Sequence, residues 1–152
     1  MLRDQLLNAM KDAMKSQDTE RLSTVRMILA AIKQKDIDAR PKGIENGIPD
    51  DQIIQLMQGM IKQRKESVAL YVQANRQELA DKEEREIEII LSFLPQQMND
   101  AEIKKALEET LKQTGAASMK QMGEVMAALR GNYPGRMDFA KASTLLKTLL
   151  SA

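Results

Sequence analysis

The chain has 152 residues, a formal net charge of +1, and neither cysteine nor histidine. Without cysteine there can be no disulfide and no thiol nucleophile, and without histidine the commonest metal ligand and proton shuttle are missing. Because no apolar run approaches the roughly 20 residues of a membrane span, and the N-terminus lacks the apolar core of a signal peptide, we expect a cytoplasmic protein without membrane, metal or cofactor.

The first two helices are predicted from apolar side chains that recur every three or four residues. The first stripe consists of Leu2, Leu6, Ala9, Met10 and Ala13. Asp18 then offers an N-cap. The second stripe consists of Leu22, Val25, Ile28, Leu29 and Ile32. The segment 40–49 that follows contains two prolines and two glycines, which predicts a flexible loop.

Two further helices are predicted between this loop and Pro95. The third begins at a cap supplied by Asp50 or Asp51. The fourth begins at Asn75, which forms a loose capping-box pattern with Glu78 three residues later. The two stripes consist of Ile53, Met57, Met60, Ile61, Val68 and Tyr71, and of Leu79, Ile87, Ile90, Leu91 and Leu94. Proline lacks an N–H and disfavours helical angles in the preceding residue, so the fourth helix should end at Pro95.

Three shorter helices are predicted after Pro95. Asn99 caps the fifth helix and Gly115 closes it. Ser118 begins a capping-box pattern for the sixth helix, and Asp138 caps the seventh. Between the last two helices the segment 132–135, Asn-Tyr-Pro-Gly, has the residue order of a type II turn. No stretch alternates between apolar and polar residues, so no strand is expected.

These elements predict an all-α protein with two domains. An N-terminal four-helix domain covers residues 1–94, a hinge lies at 95–98, and a small three-helix C-terminal domain covers 99–152. Residues 1–98 carry 15 basic and 16 acidic side chains, whereas residues 99–152 carry 8 and 6. The C-terminal piece therefore has a slight positive excess.

Several short motifs, in this order along the chain, resemble those of the GatB/YqeY family of small, all-helical bacterial proteins, so a bacterial protein is expected. The motifs occupy residues 22–28 (LSTVRMI), 62–67 (KQRKES), 74–76 (ANR), 82–83 (KE), 86–87 (EI), 94–98 (LPQQM), 122–126 (MGEVM) and 135–138 (GRMD). The resemblance implies kinship with the tail of the amidotransferase B subunit, which grips the body of tRNA. This chain departs from the family pattern at Glu124, where many relatives carry lysine. That acid argues against the sixth helix lying on phosphates.

The resemblance also implies what the protein does. It implies tRNA as a partner, together with an aminoacyl-tRNA synthetase or an amidotransferase. The activity linked to this family, carbon–nitrogen ligation with glutamine as amido donor, belongs to enzyme parts that have no counterpart among these residues. We therefore expect an accessory or adaptor protein without a catalytic centre of its own.

The candidate nucleic-acid contacts surround the turn between the sixth and seventh helices. They are Lys120, Arg130, Arg136 and Lys141. A basic turn on a small helical unit suits double-stranded RNA, which is recognised mainly by shape and by sugar–phosphate contacts. Glu124 and Asp138 would oppose such binding locally. Gly123, inside the sixth helix, predicts close approach by a neighbouring helix or by a ligand.

A second basic cluster, Lys62, Arg64 and Lys65, has two interpretations. It resembles a phosphate-binding group, but Arg64 falls beside the apolar stripe of its helix, where a charge must be paired. We therefore predict that Arg64 forms an ion pair with Glu83 or Glu86. The acidic residues 83–88 alternate with basic ones, which indicates a solvated helix face and not a metal or catalytic site.

Two other functions remain open from the sequence. The chain can be a protein-interaction module without RNA affinity, in which case the C-terminal domain should expose a contiguous patch of methionine and leucine. It can also be a glutamine-dependent amidotransferase in its own right, although no Ser/Lys amidase pattern is visible.

Overall fold

The computed structural model describes residues 1–151, and their regular structure is entirely helical. The seven α-helices are α1 (Leu2–Ser16), α2 (Thr19–Ala39), α3 (Asp50–Gln73), α4 (Gln77–Leu91), α5 (Asp100–Thr114), α6 (Met122–Asn132) and α7 (Phe139–Ser151). Short 3₁₀ helices occupy Arg40–Lys42 and Met119–Gln121. The predicted all-α fold is confirmed. Within the described residues, no helix has both the length and the apolar character that crossing a bilayer requires.

The chain divides into two compact units, Met1–Leu94 (unit 1) and the residues from Pro95 onward (unit 2). In unit 1, α1 packs on α2, α3 packs on α4, and α2 also contacts α4. The largest fully buried side chains of unit 1 are Leu6, Val25, Ile28, Ile32, Ile53, Met57 and Ile90. They come from the predicted apolar stripes, so removal of these stripes from water is the main force that holds α1–α4 together.

Unit 2 packs α5, α6 and α7 around a separate core. Its largest fully buried side chains are Ile103, Leu107, Leu129, Met137 and Leu146. The segment before α5 belongs to this unit, because the Met98 N–H donates to the Arg136 carbonyl at 2.8 Å and the Gln97 amide donates to the Gly135 carbonyl at 2.7 Å. The hinge role of 95–98 stays a prediction.

Several predicted helix ends are confirmed. The Asp18 carboxylate accepts the Arg21 N–H at 3.1 Å at the start of α2, and the Asn99 side chain accepts the Glu102 N–H at 2.8 Å at the start of α5. Asp138 accepts two N–H groups at the start of α7. Each such cap is worth about 1 kcal/mol. The turn before α7 is also as predicted, since Gly135 has φ 72° and the Arg136 N–H donates to the Tyr133 carbonyl.

Three predicted caps are wrong. Asn75 ends α3 instead of starting α4: it adopts the left-handed conformation, with φ 58°, and the Arg76 N–H donates back to the Tyr71 carbonyl at 2.8 Å. Asp50 and Asp51 are both already inside α3, which follows Pro49, and the Asp50 carboxylate accepts the Leu2 N–H at the start of α1. Ser118 makes no capping hydrogen bond, because a 3₁₀ turn separates it from α6.

The end of α4 also differs from the prediction. The helix ends at Leu91, a few residues before Pro95. The Ser92 hydroxyl donates to the Ile89 carbonyl at 2.6 Å, and the Phe93 N–H donates to the Ile90 carbonyl in a tighter, three-residue pattern. The last turn has therefore unwound before the proline is reached.

The loop between α2 and α3 is fixed at its far end. Asp36 of α2 pairs with Arg3 of α1 at 2.8 Å and accepts the Ile48 N–H at 2.8 Å, while Arg3 also donates to the Ile48 carbonyl. The Arg3 hydrogen bond lowers the pKa of Asp36 below its ordinary value. Gly47 is required beside this cluster, because its φ is 91° and an added Cβ would lie 2.7 Å from the Arg3 guanidinium.

Candidate nucleic-acid interface

The four predicted contact residues occupy both ends of α6. Lys120 lies on the 3₁₀ turn before the helix, whereas Arg130 lies in its last turn. Ten residues of helix correspond to about 15 Å, so Lys120 is well separated from the other three. Arg136 lies in the turn after α6 and Lys141 in the first turn of α7. The structure thus brings Arg130, Arg136 and Lys141 to one end of α6 and leaves Lys120 at the other.

Three of these cations have partners within unit 2. The Arg130 guanidinium lies over the Phe139 ring at 5.4 Å. Arg136 is half-buried, and its Nε donates to the Gln96 carbonyl at 3.0 Å. Arg136 therefore helps to hold the segment before α5 and is the least available of the four to a ligand.

Lys141 is the third of these cations, and its partner is Asp100. The Lys141 Nζ lies 3.2 Å from the Asp100 carboxylate, and both side chains are more than half exposed. Exposed pairs of this kind contribute little to stability and exchange readily for another partner. The Asp138 Oδ1 accepts both capping hydrogen bonds, and this carboxylate forms no ion pair with Lys141. Lys141 therefore remains available to an anion.

The outer face of α7 is basic and contains no acid. The exposed residues of this face are Ala140, Lys141, Thr144, Lys147, Thr148 and Ser151. The hydroxyl groups donate to carbonyls of α7 itself, for example Thr144 Oγ1 to the Ala140 carbonyl at 3.1 Å. The two lysines are therefore the groups left to contact a partner. Sequence reasoning missed Lys147, although the absence of Asp and Glu from residues 139–151 would have identified it.

Helix α5 has the opposite charge pattern. Its lysines stand four residues from glutamates, as in the pairs Lys104 and Glu108, and Lys105 and Glu109. Residues with this spacing are neighbours on a helix surface. The charges of α5 thus compensate one another, and α7 provides the main uncompensated positive face of unit 2.

The close approach of a neighbouring helix predicted at Gly123 is wrong, whereas the approach of a ligand stays a prediction. A Cβ added at Gly123 would meet no other atom within 4 Å. Gly123 is exposed and is the second residue of α6, because the helix begins at Met122 and not directly after Ser118 as the capping-box pattern predicted. At that position the helix has free N–H groups and few neighbours, so no packing requirement selects glycine.

The second basic cluster is organised around Arg64. The Arg64 Nε lies 2.9 Å from the Glu86 carboxylate, and Arg64 Nη1 donates to the Met60 carbonyl at 3.2 Å. Only 11% of the Arg64 side chain and 16% of the Glu86 side chain are exposed. Glu83 is half-buried on α4 and is not within ion-pair distance of Arg64. Arg64 is therefore engaged inside unit 1, while Lys62 and Lys65 are exposed.

Within the part of the chain that the structure describes, no group of three or more Asp or Glu side chains is arranged to hold a metal ion.

Curated proteins with similar sequences come from yeasts. The chain is 31% identical over 120 residues to Altered inheritance of mitochondria protein 41, mitochondrial, of Vanderwaltozyma polyspora, covering 74% of the chain and 62% of that protein. The protein of the same name in Lachancea thermotolerans is 38% identical over 96 residues, 61% of the chain and 49% of the relative. The Saccharomyces cerevisiae protein is 26% identical over 144 residues, with 91% and 71% covered.

These matches bear on two predictions, the cellular location of the protein and its bacterial origin. The relatives are named as mitochondrial proteins, and this finding contradicts the prediction of a cytoplasmic protein. The same yeast names give no support to the expectation of a bacterial protein. The chain spans about half to two thirds of the length of the first two relatives, 62% and 49%.

A sequence model of a known family matches nearly the whole chain. The model is described as Yqey-like protein and matches residues 3–150. This range includes both units and all the motifs that suggested the resemblance. The chain belongs to the YqeY-like protein family, which is related to the tail domain of the amidotransferase B subunit.

Proposed function

We propose that the chain is a tRNA-binding accessory protein that works with amidotransferase-type systems and has no catalytic centre of its own. The observation that carries this proposal is the acid-free outer face of α7, with Lys141 and Lys147 exposed. Kinship with the amidotransferase tail supports the choice of tRNA, and the names of the yeast relatives make a mitochondrial tRNA one of the probes to be tested.

The charge pattern of unit 2 suits binding to a phosphate backbone. Lys141 and Lys147 lie six residues apart, about 9 Å along the helix axis, so they can neutralise different phosphates. Arg130 adds a third positive charge near the beginning of α7, where its guanidinium stacks on Phe139. Such contacts provide affinity without reading a base sequence. This agrees with a role in holding the body of a folded RNA.

The alternative, a protein-interaction unit without RNA affinity, has less support in unit 2. Among its described residues, the large apolar side chains that are clearly exposed are Met119 and Leu149, at 45% and 36%. Monomeric proteins commonly expose isolated apolar residues, and a docking surface requires a larger contiguous patch. The outer face of α7 is better suited to phosphates than to an apolar partner.

A gel or filter assay with purified tRNA tests the proposal. The double variant Lys141→Gln and Lys147→Gln should bind tRNA at least about tenfold more weakly, because two phosphate contacts are lost. The matched control is Lys104→Gln with Lys112→Gln, which removes the same charge from the compensated surface of α5. Equal losses in both variants, or no tRNA binding by the wild type at low salt, would contradict the assignment.

A further inference from the structure

Helix α2 is apolar on two opposite faces. Its buried residues are Thr24, Val25, Ile28, Ile32 and Ala39. On the other side, Met27 and Ile37 are 37% and 46% exposed, and Ala30 lies exposed between them. A surface helix with one packing face normally carries a single apolar stripe. The Arg64 Nη2 donates to the Met27 Sδ at 3.8 Å, so contacts within unit 1 account for part of Met27, while the exposed Ala30 and Ile37 are left to explain.

The second stripe has the spacing of a helix–helix seam. Residues 27, 30, 34 and 37 follow one another at intervals of three, four and three, as the contact positions of a two-stranded helical pair do, and residue 34 is the polar member, a glutamine. The N-terminal half of this face forms a shallow groove that is open to solvent. Its lining residues are Thr19, Leu22, Ser23, Arg26, Met27 and Ala30, all on α2. Small side chains along the groove let another helix come close to the α2 backbone.

The acidic residues of α2 are all engaged within unit 1. Glu20 pairs with Arg85 of α4 at 3.0 Å. Asp36 pairs with Arg3, and Asp38 accepts a hydrogen bond from Gln34 at 3.0 Å. Because Gln34 is neutral, the exposed Asp38 keeps its charge, but the helical repeat places it on the other edge of the stripe from Arg26 and Lys33.

Several basic residues of α2 have no carboxylate partner, and two of them border the second stripe. Arg26 and Lys33 are exposed, and no carboxylate among the described residues lies within ion-pair distance of either. They are seven residues apart, which is two helical turns, so they lie along the same edge of the apolar stripe. The stripe thus has a positive edge whose charges unit 1 does not neutralise.

We propose that the exposed face of α2 binds an amphipathic helix of a partner protein, with acidic residues along one edge of its apolar stripe. Those acids would face Arg26 and Lys33 while the apolar residues cover Met27 and Ile37. A protein fits this surface better than RNA does, because exposed methionine and isoleucine gain from burial against apolar groups but offer nothing to phosphates. This surface is distinct from the outer face of α7.

A second copy of this chain is a poor occupant. In a twofold dimer each α2 would meet the same face of its counterpart. Antiparallel pairing would then place Arg26 and Lys33 opposite cations of the same set. Such like-charge contacts oppose association. The charge pattern therefore selects a partner with the opposite sign.

The experiment uses two synthetic helical peptides of about three heptads, with leucine at the seam positions. One peptide carries glutamate along both edges of the seam and the other carries lysine. The full chain, followed by fluorescence anisotropy, should bind the glutamate peptide at least about tenfold more tightly than the lysine peptide. The double variant Arg26→Glu with Lys33→Glu should reverse this preference.

Two further variants separate the seam from general charge effects. Lys62→Glu with Lys65→Glu makes the same charge change on α3 and should leave the wild-type preference intact. Ile37→Asp should weaken binding of either peptide, with an unchanged helical circular dichroism spectrum. The proposal is overturned if the wild type binds neither peptide or both equally, if the charge reversal on α2 does not change the preference, or if tRNA displaces the bound peptide.

Discussion

Arg64 of unit 1 and the two lysines of α7 in unit 2 lie in different surroundings. Arg64 in unit 1 is nearly buried and is fixed by Glu86 and the Met60 carbonyl. On the outer face of α7 in unit 2, Lys147 has no acid on its own helix, and Lys141 has only an exposed pair. A cation beside the apolar stripe of a bundle is used for folding, whereas cations on an acid-free outer face are left for a partner. The predictions below test this distinction.

The largest effect is expected from the core of unit 2. Leu107 is fully buried, so Leu107→Ala should lower the free energy of unfolding by about 4 kcal/mol through lost burial and the resulting cavity. Hydrogen exchange should show the loss of protection in α5–α7 with α1–α4 still protected, because the two cores are separate. Uniform loss of protection along the whole chain would contradict the division into two units.

The Arg64–Glu86 ion pair of unit 1 is the next test. Arg64→Ala should cost about 3 kcal/mol, because it leaves the largely buried Glu86 carboxylate without its partner. Lys62→Ala and Lys65→Ala, at exposed positions of the same cluster, should each change stability by less than about 0.5 kcal/mol. Denaturant unfolding measures all three. If Arg64→Ala were as mild as its neighbours but reduced tRNA binding, Arg64 would belong with the lysines of α7.

The Arg3–Asp36 pair gives unit 1 an acid-sensitive point. Asp36→Asn should cost about 2 kcal/mol through weakened charged hydrogen bonds to Arg3 and Ile48. Because the pKa of Asp36 is lowered in the folded chain from its ordinary 3.8, this stability is present above about pH 3.8 and is lost as the pH falls through the folded pKa. The variant should therefore show a shallower acid limb in unfolding experiments. The same pH dependence in variant and wild type would exclude this role of Asp36.

The smallest predicted effect is at Gly123. An added Cβ has open space there and the residue is helical, so Gly123→Ala should stabilise unit 2 by about 0.5 kcal/mol. Thermal unfolding provides the measurement, and tRNA affinity should not change. A clear loss of tRNA affinity would instead mean that a ligand approaches the backbone of α6 closely.

The sequence predicted local features of the fold well and distant ones poorly. Asp18, Asn99 and Asp138 cap the helices as expected because a cap bonds to N–H groups two or three residues away. The cap predicted at Asp50 is absent because this carboxylate accepts the Leu2 N–H, a contact that depends on how α1 and α3 pack. Asn75 was ambiguous because asparagine both caps helix starts and tolerates the left-handed conformation that ends them.

The candidate site shows the same limit. The sequence predicted a site at the turn after α6 because basic residues cluster there. In the structure, however, Arg136 donates to the Gln96 carbonyl. Lys147 was overlooked because no other basic residue is close to it in the sequence. Its significance comes from the absence of acids on the whole outer face of α7. Likewise, the second apolar stripe of α2 is visible only when the buried face is known.

The salt dependence of tRNA binding by the intact wild-type chain tests the central claim most directly. If Lys141 and Lys147 each neutralise a phosphate, the logarithm of the binding constant should fall with the logarithm of salt concentration with a slope of about −1.4 to −1.8 or steeper. The variant lacking both lysines should lose that part of the slope. Binding that is independent of salt, or a slope that is the same in the variant, would contradict the assignment of α7 as the RNA-binding face.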